Sequence, residues 1–159
     1  MTRSLSTLAI PAVALAVAVP AIASAQGNPA PPATSASVAT VRLDTTKLGK
    51  VLADSSGRTL YLFEKDKGPK SNCFNTCASA WPPVTTTGTP KPGPGISASK
   101  LGTISRGHGV KQVTYNHHPL YRFVNDTRAR QTNGEGVKAF GAAWYVLNAS
   151  GRKVEDDDS

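Results

Sequence analysis

After residue 40 the chain alternates short runs of β-branched and aromatic residues with clusters of Gly, Pro, Asn, Asp and Ser, the pattern of strands and tight turns. Val51-Leu52-Ala53-Asp54, then Ser55-Ser56-Gly57, then Arg58 to Phe63, reads as strand, turn and strand. Gly57 can supply the positive φ of such a turn, and the Asp54 carboxylate can bond its backbone. Gln112 to Tyr115, Asn116-His117-His118 and Pro119 to Val124 repeat the plan. Trp144-Tyr145-Val146-Leu147 forms a last strand that ends at the turn sequence Asn148-Ala149-Ser150-Gly151. Helical spacing is confined to Cys73–Trp81 and is stopped by Pro82-Pro83. The pattern predicts an all-β, mainly antiparallel domain: two related β-hairpin units and one short helix around Cys73–Trp81.

A second pattern precedes it. Arg3 supplies a basic start, Leu8 to Ala23 is apolar, and Ala23-Ser24-Ala25 has the small-x-small form that a signal peptidase accepts. Pro11 and Pro20 argue against a membrane anchor. Residues 1–25 are expected to be removed, leaving no transmembrane segment. Residues 26–40 are rich in Pro, Ala, Ser and Thr, bury too little apolar surface to fold, and are expected to be disordered. Residues 41–154 form the domain, and 155–159 an acidic solvated tail.

The domain is internally repeated. Leu60-Tyr61-Leu62-Phe63-Glu64-Lys65-Asp66 and Leu120-Tyr121-Arg122-Phe123-Val124-Asn125-Asp126 share Leu-Tyr-x-Phe-x-x-Asp, and each later reaches Ala-Trp, at Trp81 and Trp144. Leu48-Gly49 and Leu101-Gly102 are read as the starts of the units, giving repeats at about 48–84 and 101–151. Thr103 to Val113, around Gly107-His108-Gly109, is then an added hairpin arm of the second copy, and 85–100 a Pro/Gly-rich linker. Tyr61 and Phe63 stand two apart, as do Tyr121 and Phe123, so each pair faces one side of its strand. They are expected to anchor the core, with Trp81 and Trp144. Asp66 and Asp126 fall where strand gives way to loop, where a carboxylate can accept backbone N–H bonds.

These strings resemble a bacterial secreted-repeat family, predicted lipoproteins with tandem Tyr-x-(Phe/Trp/Tyr)-x-x-Asp motifs. The resemblance runs from about Leu48 to Gly151 and includes Cys73-x-x-x-Cys77-Ala-x-Ala-Trp81-Pro82-Pro83 and Phe140-Gly141-Ala142-Ala143-Trp144. It implies an exported or envelope protein, periplasmic or extracellular, of a family without a settled activity. The chain departs from the lipoprotein label, since its only cysteines are Cys73 and Cys77 and none follows the apolar stretch.

Charge narrows the partners. The chain carries +8. Four acids sit in the run Glu155 to Asp158, so residues 26–154 hold 17 basic and 6 acidic residues, a net +11. That excess suits solubility and anionic envelope components. The cations are dispersed, and no sequence-specific nucleic-acid motif is present.

Candidate chemistry is sparse. In an oxidising compartment Cys73 and Cys77 should pair as a disulfide, since four-residue spacing on a helical turn fits the Cα window of about 4.4–6.8 Å. The alternative is a copper or zinc site or redox pair on the same thiols, completed by His117 and His118 or by His108, because soft thiolates select those metals. There is no Gly-x-Ser-x-Gly, no His-Glu-x-x-His and no phosphate-cradling loop. Asp66 and Asp126 read as paired glycosidase carboxylates only if their repeat symmetry is ignored. The expectation is a non-catalytic binding or structural module without a cofactor, and the alternative a copper-linked metal-binding or redox protein.

Overall fold

The structure, a computed structural model, describes residues 37–154. The expected signal peptide at 1–25, most of the segment 26–40 and the tail 155–159 lie outside the described residues.

The fold is mainly antiparallel β. Strands β1 (Thr40–Thr46) and β2 (Gly49–Asp54) form a hairpin in which Thr46 faces Gly49 across a two-residue turn. Asp54 to Gly57 turns the chain into β3 (Tyr61–Phe63). A short helix α1 (Thr76–Ala80) follows. Strands β4 (Thr85–Thr86) and β5 (Lys91–Pro92) and a 3-10 turn at Ala98–Lys100 lead to a second hairpin, β6 (Leu101–Ser105) and β7 (Lys111–Tyr115). Strand β8 (His118–Pro119) returns alongside β7, and β9 (Lys138–Ala139) and β10 (Ala142–Val146) close the chain. The sheets have the orders β2-β1-β5, β3-β10-β9 and β4-β7-β6, with β8 on β7. Isolated bridges, above all Tyr61 to Tyr121, connect them.

Strand alternation makes two cores on opposite faces of the central strands. Leu52, Leu60, Leu62, Leu120 and Leu147 join Val41, Val84, Val113 and Tyr115 on one face. Val51, Tyr61, Phe63, Tyr121 and Val146 join both Trp residues and both cysteines on the other. This explains why the central segments read as almost continuous apolar runs: Tyr61-Leu62-Phe63 is buried at every position.

Three expectations are corrected. First, the hairpin β6–β7 is no added arm, because β1–β2 is its counterpart in the first repeat. Leu52 N donates to Leu147 O (2.8 Å) as Val113 N donates to Val84 O (2.8 Å), so β2 matches β7 and β1 matches β6. The first repeat therefore starts near Thr40, and the Leu48-Gly49 and Leu101-Gly102 pairs are not equivalent: one lies at a turn, the other in a strand. Residues 37–40, placed with the disordered segment by composition, are tied down by Thr87 N to Ser37 O and Lys91 N to Ala39 O. Second, the helix is Thr76–Ala80 rather than Cys73–Trp81, because Asn75 has φ 51° and cannot be helical. Third, residues 85–100 are woven into the sheets: β4 pairs with β7, and β5 runs parallel to β1. Their glycines permit close approach. A Cβ on Gly95 would lie 2.5 Å from Leu43 Cδ1, at φ +79°.

Gly95→Ala should therefore cost more than Gly107→Ala, whose φ is +87° but whose Cβ would meet nothing within 4 Å. The shared backbone strain is about 1 kcal/mol, and the clash adds about 1–3 kcal/mol at Gly95 alone. Urea unfolding of the two variants checks this, and equal losses would make 85–100 a passive connection.

Candidate functional site

The repeat motif builds the centre of the molecule about a local two-fold relation. Tyr61 N donates to Tyr121 O (2.9 Å) and Tyr121 N to Tyr61 O (3.0 Å). Each repeat then lends its Trp segment to the other. Trp144 of the second repeat lies in β10, opposite Phe63 of β3. Past α1 of the first repeat, Pro83 bridges Tyr121, and Arg122 N donates to Pro82 O (2.9 Å). Glu64 N to Ala143 O (3.0 Å) has its counterpart in Val124 N to Ala80 O (3.1 Å).

The exchange stacks four rings in the order Phe63, Trp144, Trp81, Phe123. Centroid separations are 4.0, 4.0 and 4.2 Å, and interplanar angles 7°, 3° and 20°. Tyr61 meets Trp81 edge-on at 5.3 Å, and Tyr121 meets Trp144 edge-on at 5.2 Å. All but Phe123 are essentially buried. Rings of this size bury about 150–250 Å² each, on the order of 4–6 kcal/mol apiece as an upper estimate.

The motif carboxylates close the same exchange. Tyr61 Oη donates to Asp126 Oδ2 (2.5 Å) and Tyr121 Oη to Asp66 Oδ2 (2.7 Å), each tyrosine reaching the other repeat's aspartate. The second oxygens cap local loops, as expected: Asn72 N donates to Asp66 Oδ1 (2.6 Å) and Asn133 N to Asp126 Oδ1 (3.0 Å). Burial raises Asp66 above the ordinary carboxylate value despite its bonds from Tyr121 and Asn72, and raises Asp126 despite those from Tyr61 and Asn133. Burial, with the facing carboxylates, also drives both tyrosine hydroxyls upward. The phenols therefore stay protonated donors.

Residues that pattern reading missed complete the arrangement. Tyr121 Oη also reaches Ser71 Oγ (2.8 Å), which Arg106 holds at 2.7 Å while donating to Gln112 and to the Cys73 carbonyl. Gly134 is a close-approach point of the second repeat, since a Cβ there would lie 2.7 Å from the Trp81 ring. Two turns of like sequence at non-equivalent places in the repeats, Asp54-Ser55-Ser56-Gly57-Arg58 and Asn148-Ala149-Ser150-Gly151-Arg152, are held the same way. Asp54 Oδ1 takes Ser56 Oγ (2.6 Å) and Arg58 N (3.1 Å), and Asn148 Oδ1 takes Ser150 Oγ (2.6 Å) and Arg152 N (3.1 Å). Asp54 is also paired with Arg122 (2.7 Å). Burial opposes ionisation of Asp54, but the bonds from Ser56 and Arg122 outweigh it and hold its pKa below the ordinary value.

Cys73 and Cys77 form a disulfide with a Cα separation of 5.2 Å, and both are buried beside the ring stack. The four residues of the metal reading are not brought together. The sulfurs are bonded to one another, and no cluster of three or more His, Cys, Asp or Glu side chains able to hold a metal exists among the described residues. His117 and His118 sit at one end of β7 and His108 near the other, about 15 Å apart at some 3.3 Å per strand residue. Asn116 and His117, with φ 48° and 68°, form the two-residue turn between β7 and β8. His118 is half-buried, and burial followed by the adjacent His117 lowers its pKa.

A β protein of two repeats that exchange strands, rings and tyrosine–carboxylate bonds is the class these contacts define. Residues 42–85 and 102–148 match a family described as a secreted repeat of unknown function. The two matches span more than half of the 159 residues, and the chain belongs to that family. The first match begins within β1, before Leu48. Membership makes this an exported protein. No curated protein and no solved structure matches the chain. No helix among the described residues is long and apolar enough to cross a membrane.

Two predictions follow from these contacts. The raised folded-state pKa values of Asp66 and Asp126 mean that their favourable contribution is complete below 3.8 and is lost as pH rises through the folded values toward neutrality. Asp54 acts oppositely: its contribution holds above 3.8 and is lost as pH falls through its depressed value. Tyr61→Phe strips a buried carboxylate of its donor and should cost about 1–3 kcal/mol at pH 7. The cost should shrink as pH approaches 3.8, where Asp126 is protonated. Denaturation at both pH values reads the difference, and a pH-independent loss would contradict the assignment. Cys73→Ala/Cys77→Ala should lower stability by about 2 kcal/mol on the chain-entropy estimate for so short a loop, with the fold retained by circular dichroism.

Proposed function

We propose that this protein is a non-catalytic binding module of the periplasm or the extracellular space, held to anionic polymers of the cell envelope by its basic surface. The observation that carries this reading is the disposition of its acids. All six carboxylates between residues 37 and 154 are engaged internally: Asp44 with Arg42 and Arg130, Asp54 with Arg122, Glu64 with Lys153, Asp66 with Tyr121, Asp126 with Tyr61, and Glu135 with the Val146 amide. Lys47, Lys50, Lys67, Lys70, Lys91 and Lys111 have no ion-pair partner among the described residues and project their charge outward. The field outside the protein is therefore set by unbalanced cations, which attract polyanions at long range.

A non-catalytic role is supported by the engagement of the two acids that might have done chemistry. Asp66 and Asp126 each hold one loop and one tyrosine of the opposite repeat, and the Cys73 and Cys77 sulfurs are tied up in a disulfide.

Binding to immobilised polygalacturonate or to vesicles rich in anionic lipid should be measurable at about 20 mM salt and lost near 0.5 M, because the Debye length shrinks several-fold over that range. Retention unaffected by salt, or no retention at low salt, would overturn the reading.

A further inference from the structure

We infer that the groove formed by the two clefts that meet at Glu64, beside Phe140 and Tyr145, is a site for an acidic polysaccharide, with a sugar ring seated on Phe140 and acid groups met by Lys138 and Arg152. This rests on the polyanion reading above and names its site and ligand class.

The starting point is a residue the fold does not explain. Ala139 faces Ala142, so Phe140 and Gly141 form the two-residue turn between β9 and β10, with φ 57° and 92°. Turns with two positive φ values favour Asn-Gly, because a Cβ crowds the backbone there, and a bulky aromatic in the first position is unfavourable. Burial returns only part of that cost. The Phe140 side chain is among the exposed large apolar groups at 39%, has no ring partner among the described residues, and its turn is pinned by Lys65 Nζ donating to Phe140 O (3.3 Å). An aromatic held outward at a conformational cost points to a contact with something outside the chain.

The surroundings specify what. Beside Phe140 lies a cleft of about 560 Å³, lined also by Lys138, Tyr145 and Glu64. At Glu64 it meets a second cleft of about 650 Å³, floored by Leu62 and rimmed by His118, Arg152 and Lys153. Lys153 stands over the Tyr145 ring at 4.6 Å and pairs with Glu64 at 3.0 Å, which cancels one of the two acids of the groove. The other, Asp66, is taken by Tyr121 and Asn72. Lys138 and Arg152 are left exposed at opposite ends, with no ion pair among the described residues. Each cleft has the volume of a small-molecule site. An elongated ligand with apolar ring faces and spaced negative charges fits both clefts together. A chain of acidic sugars has that form, its C–H faces lying on aromatic rings whose faces carry negative potential. A bare polyanion would use the charge and leave Phe140 idle.

The test compares polygalacturonate with inorganic polyphosphate, titrated at low salt against the full chain and its Phe140→Asn and Arg152→Ala variants. Asn suits the turn, so Phe140→Asn should unfold at or above the parent's temperature while its polygalacturonate affinity falls about tenfold, the loss of one aromatic contact. Its polyphosphate affinity should stay unchanged. Arg152→Ala, an exposed change at the far end of the groove, should weaken polygalacturonate by a few-fold and serves as the reading if Phe140→Asn does not fold. Unchanged polygalacturonate binding in both variants, or equal loss of both polymers in Phe140→Asn, would overturn the groove while leaving the polyanion reading intact. Failure of the parent chain to bind either polymer would overturn both.

Discussion

The stack Phe63, Trp144, Trp81, Phe123 is the constraint on which the rest of the fold depends. Two of its rings come from each repeat, and neither repeat can assemble it alone. The segments that carry Trp81 and Trp144 must cross to the opposite repeat, and that crossing places Tyr61 and Tyr121 side by side at the centre. Once they are there, the hydroxyls fall within reach of Asp126 and Asp66. The Leu-Tyr-x-Phe-x-x-Asp string is thus one half of an interlock: leucine to one core, the two rings to the other, and the aspartate to the tyrosine of its counterpart.

Committing the acids inward shapes the outside. A small domain with two thin cores has little room for charge, so Asp66 and Asp126 are kept where tyrosine hydroxyls and loop amides satisfy them. Asp44 and Asp54 are likewise spent on arginines that bridge distant segments. What remains at the surface is mostly lysine, and the proposed attraction for polyanions follows from the economy of the core. The groove beside Phe140 would add shape to that proposed attraction, since it offers a ring face and spaced cations in one place.

Much of this was legible in one dimension. The turn at Ser55-Ser56-Gly57, the strand at Trp144, the shared face of Tyr61 and Phe63 and the Cys73–Cys77 pairing all rest on local rules: positive φ at glycine, a period of two in strands, and two thiols within reach. The start of the first repeat was not legible, because β1 resembles β6 in hydrogen-bond register rather than in residue identity. The role of residues 85–100 was hidden for a related reason. Pro and Gly mark linkers, but here they allow an edge strand to approach β1 closely, and that depends on what lies opposite.

The amino-acid sequence by itself determined that this is an exported-type, basic, β-rich chain built from two copies of one motif, since composition, alternation and repetition are properties of neighbours along the chain. Only the tertiary structure decided that the two copies interlock, that each tyrosine answers the other copy's aspartate, and that Phe140 stands outward over a groove. Those facts concern residues some 65 positions apart, such as Tyr61 and Asp126, whose meeting is set by which strand pairs with which. Strand pairing is chosen by the ring stack as a whole, and no local signal encodes it.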